Sequence, residues 1–348
     1  MLAIRTLIMT IAGRWLGGMT FALLAAVAPM QAQAQLPAVK IGHLGIVADA
    51  PFYIAIEKGY FKEQGLTVAL ERFNSSAQAT APLSTNDIQV AGGALSAALF
   101  NSFARGWPAR IAFSRTSDRP GFSSDTLLVR NDLKDSVKSI ADLRGKKIAV
   151  NAPASGLLYM VGKMLESGGL TINDVTIIYM PWPNMGAAFE SKAIDAGAVV
   201  EPFSEIYNSR QLAFPFKRAA DVLRDPPFEV SVILFNLEWA KQNQDQARAF
   251  SVAYLKGARD YYDAMRGGPK RGEVVQILTR YTSMKEAPLY DKIQWEHVDP
   301  NARFSIESLR DQQEWHARQG SIPSKVKVED MVDGSFLQYA LDKLGVVK

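Results

Sequence analysis

Short apolar runs of strand length alternate along this chain with stretches of helical spacing. That alternation predicts an α/β fold with largely parallel sheets. Val39–Leu44 reads as a first strand. Pro51 opens a helix that runs to Lys58, because its fixed φ and missing N–H suit a first turn, and Gly59 ends it. Leu66–Leu70 predicts a second strand, Ala77–Leu83 a short helix and Ile88–Val90 a third strand. Ala94–Arg105 predicts a helix closed by Gly106, and Arg110–Phe113 a fourth strand.

A second unit of the same kind follows. Thr126–Val129 reads as a strand crossing into it. Ile140–Leu143 is a short helix, Lys147–Val150 a strand, Ser155–Glu166 a helix, Val175–Tyr179 a strand, Met185–Ser191 a helix and Ala196–Val200 a strand. Val230–Phe235 reads as the crossing back. Beyond it Ala247, Phe250, Ser251, Tyr254, Leu255, Ala258, Tyr261, Tyr262 and Met265 recur at three- and four-residue spacing, one face of a long helix. Asn86–Ala91 and Ile194–Val199 each place an aspartate ahead of a short strand, a faint echo between the two units. The expected organisation is therefore bilobal: lobe I from 35–126 plus 230–348 with the C-terminal helices, lobe II from 127–229, two crossing strands as hinge, and a cleft between.

The first 34 residues fit neither unit. Arg5 and Arg14 give a positive start, and Leu16–Val27 is an apolar run. Pro29 breaks it, and Ala32-Gln33-Ala34 offers small residues where a signal peptidase reads. The run is too short to span about 30 Å of hydrocarbon. Residues 1–34 are thus expected to be an export signal, and the mature chain to be periplasmic and soluble. Its removal takes two arginines from a formal charge of +4, leaving 37 basic against 35 acidic residues. No run of like charge and no basic stripe with interleaved aromatics remains, so nucleic acid is not an expected partner.

The chain has no cysteine, which removes disulfides, thiolate metal sites and cysteine nucleophiles. His43, His297 and His316 lie far apart, without metal-ligand spacing. No glycine pattern fits a phosphate loop or dinucleotide fingerprint, and no serine sits in a nucleophile elbow. Neither catalysis nor a cofactor is expected.

In open α/β sheets, ligands gather beyond the carboxyl ends of the strands. Those positions supply the candidates: Ile46 after the first strand, Asn74 after the second, and Gly93, Ala94, Leu95 and Ser96 after the third. Arg115 follows the fourth and could pair with an anion or bridge the lobes. Ser155, Gly156 and Leu157 open the helix after Val150, where free N–H groups and the helix dipole suit an anionic or polar group; Ser155 could equally be only a cap. Trp182 and Tyr53 are candidates for aromatic contact or for packing, and Glu201 for binding or bridging.

At this point the residues resemble a known family. Pro51-Phe52-Tyr53-Ile54-Ala55-Ile56-Glu57-Lys58-Gly59-Tyr60-Phe61, followed by Glu63-Gln64-Gly65-Leu66, is similar to the N-terminal signature of ABC transporter periplasmic substrate-binding proteins for nitrate, sulfonates, taurine and thiamine precursors. Asp142-Leu143-Arg144-Gly145-Lys146-Lys147-Ile148-Ala149-Val150, and Ile194-Asp195-Ala196 with Glu201-Pro202, resemble two further segments of it. The resemblance covers roughly Val39 to Phe235. It implies a type II periplasmic-binding-protein fold that closes on a small molecule, and delivery to a permease and an ATPase by a monomer. Trp182, Tyr53, Leu95 and Leu157 lean the expected ligand toward an organic anion of the sulfonate or aromatic carboxylate class. A pyrimidine or thiamine precursor, nitrate, and a periplasmic sensor module are the alternatives. Enzymes that share this kind of fold rely on cysteines this chain lacks.

Overall fold

The computed structural model describes residues 38–348; the expected export signal lies outside them. Two five-stranded sheets organise these residues. The first combines β1 (Val39–His43), β2 (Val68–Arg72), β3 (Val90–Ala94), β4 (Ala109–Ser117) and β10 (Glu229–Asn236) in the order β2-β1-β3-β10-β4. The second combines β5 (Thr126–Arg130), β6 (Lys147–Val150), β7 (Thr176–Tyr179), β8 (Ala196–Val199) and β9 (Ala213–Arg218) in the order β7-β6-β8-β5-β9. In each sheet three parallel strands are followed by one antiparallel strand, β10 beside β3 and β5 beside β8. The sheets therefore repeat one plan, and the echo in the sequence has this architectural basis.

The inner strands β3, β6 and β8 are buried and largely apolar because both of their faces are covered. Against one face of the first sheet pack the Ala50–Glu57 helix and the long Gln244–Met265 helix, through Phe52, Phe250, Tyr254 and Phe235. Leu83, Ile88, Phe100 and Leu234 fill the other face. In the second sheet Ile148, Val150, Met160 and Leu165 form one layer, and Met185, Phe189, Ile194 and Tyr207 the other.

The structure corrects the sequence reading in four places. Thr126–Val129 and Val230–Phe235, expected as the crossings, are full members of the sheets. The chain crosses instead through 118–125 and 219–228, which join where Asp118 N–H donates to Phe228 O (2.8 Å) and Ala219 N–H to Asp125 O (2.9 Å). Strand β9 escaped notice because Pro215 interrupts its pattern; proline is tolerated there since β9 is an edge strand. Gly92 and Gly93, expected beyond the third strand, and Ala94, expected to open a helix, instead extend β3 and pair with β10. The glycines are needed for close approach: a Cβ at Gly93 would meet Leu234 Cδ1 at 2.6 Å, and one at Gly92 the Arg115 guanidinium at 2.9 Å. Trp182 begins the helix Trp182–Glu190, which starts ahead of the expected Met185.

The Ile306–Arg318 helix belongs to both lobes. Leu309 sits in a first-lobe core, whereas Trp315 sits in the core around Ile148 and Met160. Trp315 Nε1 donates to Glu166 (2.8 Å), and Lys163 pairs with Asp311 (3.3 Å). On the first-lobe side Gln312 Nε2 donates to Glu229 O (2.8 Å) and Gln313 Nε2 to Val326 O (3.0 Å).

Candidate functional site

The segments that follow β3 and β6 meet at one seam, and a helix starts on each side of it. Ser96 caps the Ala97–Ala104 helix, its Oγ accepting from Leu99 N–H (3.2 Å). Ser155 caps the Gly156–Ser167 helix, its Oγ accepting from Leu158 N–H (3.3 Å). The two starts touch: Ala97 N–H donates to Ala154 O at 3.0 Å, and a Cβ on Gly156 would lie 2.7 Å from Leu95 O. Leu95 is tied back to the first lobe by its N–H bond to Val230 O (3.1 Å). The structure thus brings together Leu95, Ser96, Ser155 and Gly156 as the sequence expects. The side chains of Leu95 and Leu157, however, point into their own lobe cores, leaving main chain at the seam.

Gly93, Ala94 and Ser96 also line a cavity of about 30 Å³ with Ser76, Thr80 and Trp107, room for about one water. Ser76 Oγ accepts from Ala94 N–H (3.1 Å) there. Asn74 stands two residues away and is exposed, its N–H donating to Gln78 Oε1 (3.0 Å).

Three other candidates are occupied inside the first lobe. Asp49 Oδ2 accepts from the N–H groups of Leu44 (2.9 Å), Gly45 (3.0 Å) and Ile46 (3.3 Å) and from Tyr53 Oη (3.3 Å). The loop after β1 is thereby wound on one carboxylate, and the Ile46 N–H already has its acceptor. Tyr53 is fully buried, its hydroxyl 2.8 Å from His43 Nδ1 and its ring stacked on Tyr281 at 4.4 Å. Arg115, one of the alternatives for an anion clamp, donates from Nη2 to Asp49 Oδ1 as a fully buried ion pair. Its charge is spent within the lobe.

In the second lobe Trp182 is half-buried, its ring against Phe203 at 5.9 Å, and its carbonyl accepts from Tyr207 Oη. Glu201 is buried, with Oε2 accepting from Glu205 N–H (3.1 Å) and Oε1 3.9 Å from Arg218. Burial pushes its carboxyl up to about 7.

Sequence reasoning missed an acidic group on the crossing. Asp118 and Asp125 flank the Arg119–Phe122 turn, and Glu296 joins them from the C-terminal region; all three are at least 97% buried. Asp118 Oδ1 accepts from Ser124 N–H (3.1 Å) and Asp125 Oδ1 from Ser124 Oγ (3.3 Å). Burial holds both aspartates well above the usual carboxylate range, reinforced at Asp118 by repulsion from Asp125 and Glu296 and at Asp125 by repulsion from Glu296. Burial also pushes Glu296 up to about 7. Asp118 Oδ2, Glu296 Oε2 and Arg115 Nε have no hydrogen-bond partner among the described residues. The aspartates flanking Arg119-Pro120-Gly121 were visible as a pair in the sequence; Glu296 carried no local signal. Glu229, also buried, is a different case: Ser114 Oγ and Ser305 N–H (3.2 Å) both donate to it.

Two α/β lobes meeting at their strand ends is a fold shared by the periplasmic binding proteins that this chain resembles. The chain belongs to the NMT1-like family, whose model matches residues 32–278. It is 24% identical over 306 residues to a Bacillus subtilis (strain 168) protein named for binding aliphatic sulfonates, covering 84% of this chain and 86% of that one. The alkanesulfonate-binding protein SsuA from Xanthomonas axonopodis pv. citri, bound to MOPS, superposes with TM-score 0.68 at 19% identity, covering 86% of this chain and 99% of that one. The periplasmic nitrate-binding protein NrtA from Synechocystis PCC 6803 superposes at 0.71 with 17% identity, covering 89% of each. The desulfurization enzyme DSZB shares the fold more distantly, at 0.64 and 14% identity over 88% of this chain and 99% of that one.

Proposed function

We propose that this protein is a periplasmic solute receptor of an ABC-type importer, closing its two lobes on a small organic anion of the sulfonate or aromatic carboxylate class and presenting it to a permease and ATPase. One observation carries the reading. The capped N-termini of the Ala97–Ala104 and Gly156–Ser167 helices meet across the interlobe seam. Helix N-termini favour anions through their free N–H groups and dipole, each contributing up to ~2 kcal/mol when partly buried. The names of the sulfonate- and nitrate-binding relatives support an anionic cargo, and those of the sulfonate-binding ones support the sulfonate class. Ser96, Ala94, Ser155 and Gly156 are the residues proposed to meet ligand, with Gly93, Asn74, Trp182 and Glu201 around them.

A thermal-shift panel of alkanesulfonates, aromatic carboxylates, pyrimidines and nitrate tests this. A ligand at a hundredfold excess over Kd stabilises the native state by about 2.7 kcal/mol. A raised melting temperature with one anion class, without chemical change to that compound, supports a receptor. Turnover of the compound, or shifts with neutral pyrimidines alone, overturns the reading.

A further inference from the structure

We propose that the first lobe carries a second binding site, remote from the seam, for a carboxylate with a short apolar tail. The inference goes beyond the receptor reading and does not depend on it. An open pocket of about 470 Å³ lies where the Ala97–Ala104 helix ends, β4 begins and β10 runs out. Pockets of about 300–1,000 Å³ are the usual size for small organic ligands. Along β10, Ser231 pairs with Ala94, and Asn236 pairs with Ala109. The pocket therefore stands at the far end of the strand from the seam, roughly 17 Å away along β10. Trp107 is the one residue it shares with the cavity of about 30 Å³ beside Ser96.

The walls and rim set the chemistry. Phe103 meets Trp107 edge to face, with ring centroids 5.4 Å apart, and Leu237 and Met331 extend the apolar lining. Such walls accept a hydrocarbon tail. Charge at the rim is unevenly satisfied. Among the described residues Arg110 donates only to the Ala109 carbonyl (2.7 Å), and neither it nor Lys327 has a carboxylate at ion-pair distance. Of the two rim carboxylates, Glu238 lies 3.6 Å from Lys241, which leaves Asp330 as the unpaired acid. The indole N–H of buried Trp107 also has no acceptor among the described residues. Two unpaired cations and an unmet donor outweigh one unpaired acid, so the rim favours an anion. Arg110 has donors to spare for a carboxylate, which a guanidinium can hold through two parallel N–H groups.

Hexanoate, with hexylammonium as its cationic counterpart, probes the site by calorimetry. Hexanoate is expected to bind with a Kd of about millimolar or tighter, from burial of its five-carbon tail, and more tightly than hexylammonium. Arg110→Gln should weaken it at least about tenfold, the low end for a hydrogen bond to a charged group. Lys327→Gln, at an exposed position, should weaken it about two- to fivefold. Asp330→Asn and Glu238→Gln, also exposed, should tighten it by about the same factor, a change of sign that impaired folding would not produce. Gly156→Ala, which disturbs only the seam, should leave hexanoate binding as it is, and the four rim variants should leave alkanesulfonate binding as it is. Hexanoate that fails to bind at ten times the expected Kd overturns the site. So does hexanoate that binds no better than hexylammonium, is lost in Gly156→Ala, or is indifferent to all four rim variants; each of these leaves the receptor reading intact. A concentration-dependent dimer abolished by the rim variants would give the pocket to a second copy of the chain and likewise overturns it.

Discussion

Replacing Gly156 by alanine should separate lobe closure from folding. Gly156 is the first residue of a helix and has an ordinary helical backbone, so alanine fits the local conformation and gains a fraction of the ~1 kcal/mol helix preference over glycine. The added methyl, however, would stand 2.7 Å from Leu95 O and 3.8 Å from Phe228 Cζ. Carbon–oxygen contacts settle near ~3.3 Å or beyond, an overlap of about half an ångström. Leu95 cannot retreat easily, because its N–H is bonded to Val230 O. The overlap is relieved by parting the seam, so the cost of ~1–3 kcal/mol typical of an extra buried methyl falls on the closed state alone. That corresponds to about a 5- to 150-fold loss of closed population and of cargo affinity. The chain has no native cysteine, so Ser209→Cys and Lys241→Cys, both exposed and on opposite lobes, can carry a unique dye pair. Energy transfer should shift toward longer distances in the alanine variant, with an unchanged or higher melting temperature. An unchanged distance distribution, with and without a bound compound, would refute the assignment of this contact to closure.

Three further outcomes follow from the packing. Asp49→Ala leaves Arg115 buried without a counter-charge and frees three loop N–H groups, so it should cost about 3–5 kcal/mol in urea denaturation; a loss under about 1 kcal/mol would sink that account. Gly162→Ala places a methyl 2.0 Å from the Trp315 ring, and should destabilise by ~1–3 kcal/mol with altered tryptophan emission, whereas an unperturbed spectrum would contradict it. Stability should also fall as pH rises from 6.5 to 8. Burial lifts Glu201 and Glu296 to about 7 and Glu229 to about 8, so the native state holds more protons than the unfolded chain in this window. Their contribution is complete below the ordinary carboxylate range and lost above pH 8, on the order of 2–3 kcal/mol across the window. His297 and His316, lowered to about 4 by burial, act oppositely only below the ordinary histidine range. Denaturation midpoints that rise over this interval would refute the assignment.

The regular part of the fold was legible because its signals are local. Buried strand residues such as Ile148–Val150 form a continuous apolar run, and the cap Ser155 marks the start of its helix. The long helix was read from the spacing of Phe250, Tyr254 and Tyr261, all of which are buried. What escaped was set by distant partners. Arg115 and Tyr53 look available in sequence, yet Asp49 takes both, and nothing near Arg115 announces that pairing. Gly92 and Gly93 carry the same residue type a turn would, but serve the approach of Arg115 and Leu234. Glu296 gained its place beside Asp118 and Asp125 only through the tertiary return of the C-terminal region.

That return has a mechanical consequence. With Trp315 embedded in one lobe and Leu309, Gln312 and Gln313 fastened to the other, the Ile306–Arg318 helix splints the two halves outside the crossing. A free hinge would let the lobes swing about the 118–125 and 219–228 segments in any direction. The splint removes most of those directions and leaves a shear in which this helix slides on one partner while riding with the other. The travel of the jaws is therefore capped by how far the Gln312 and Gln313 anchors can give, and a stiffer or looser splint would tune the rate of cargo release without touching the site that holds it.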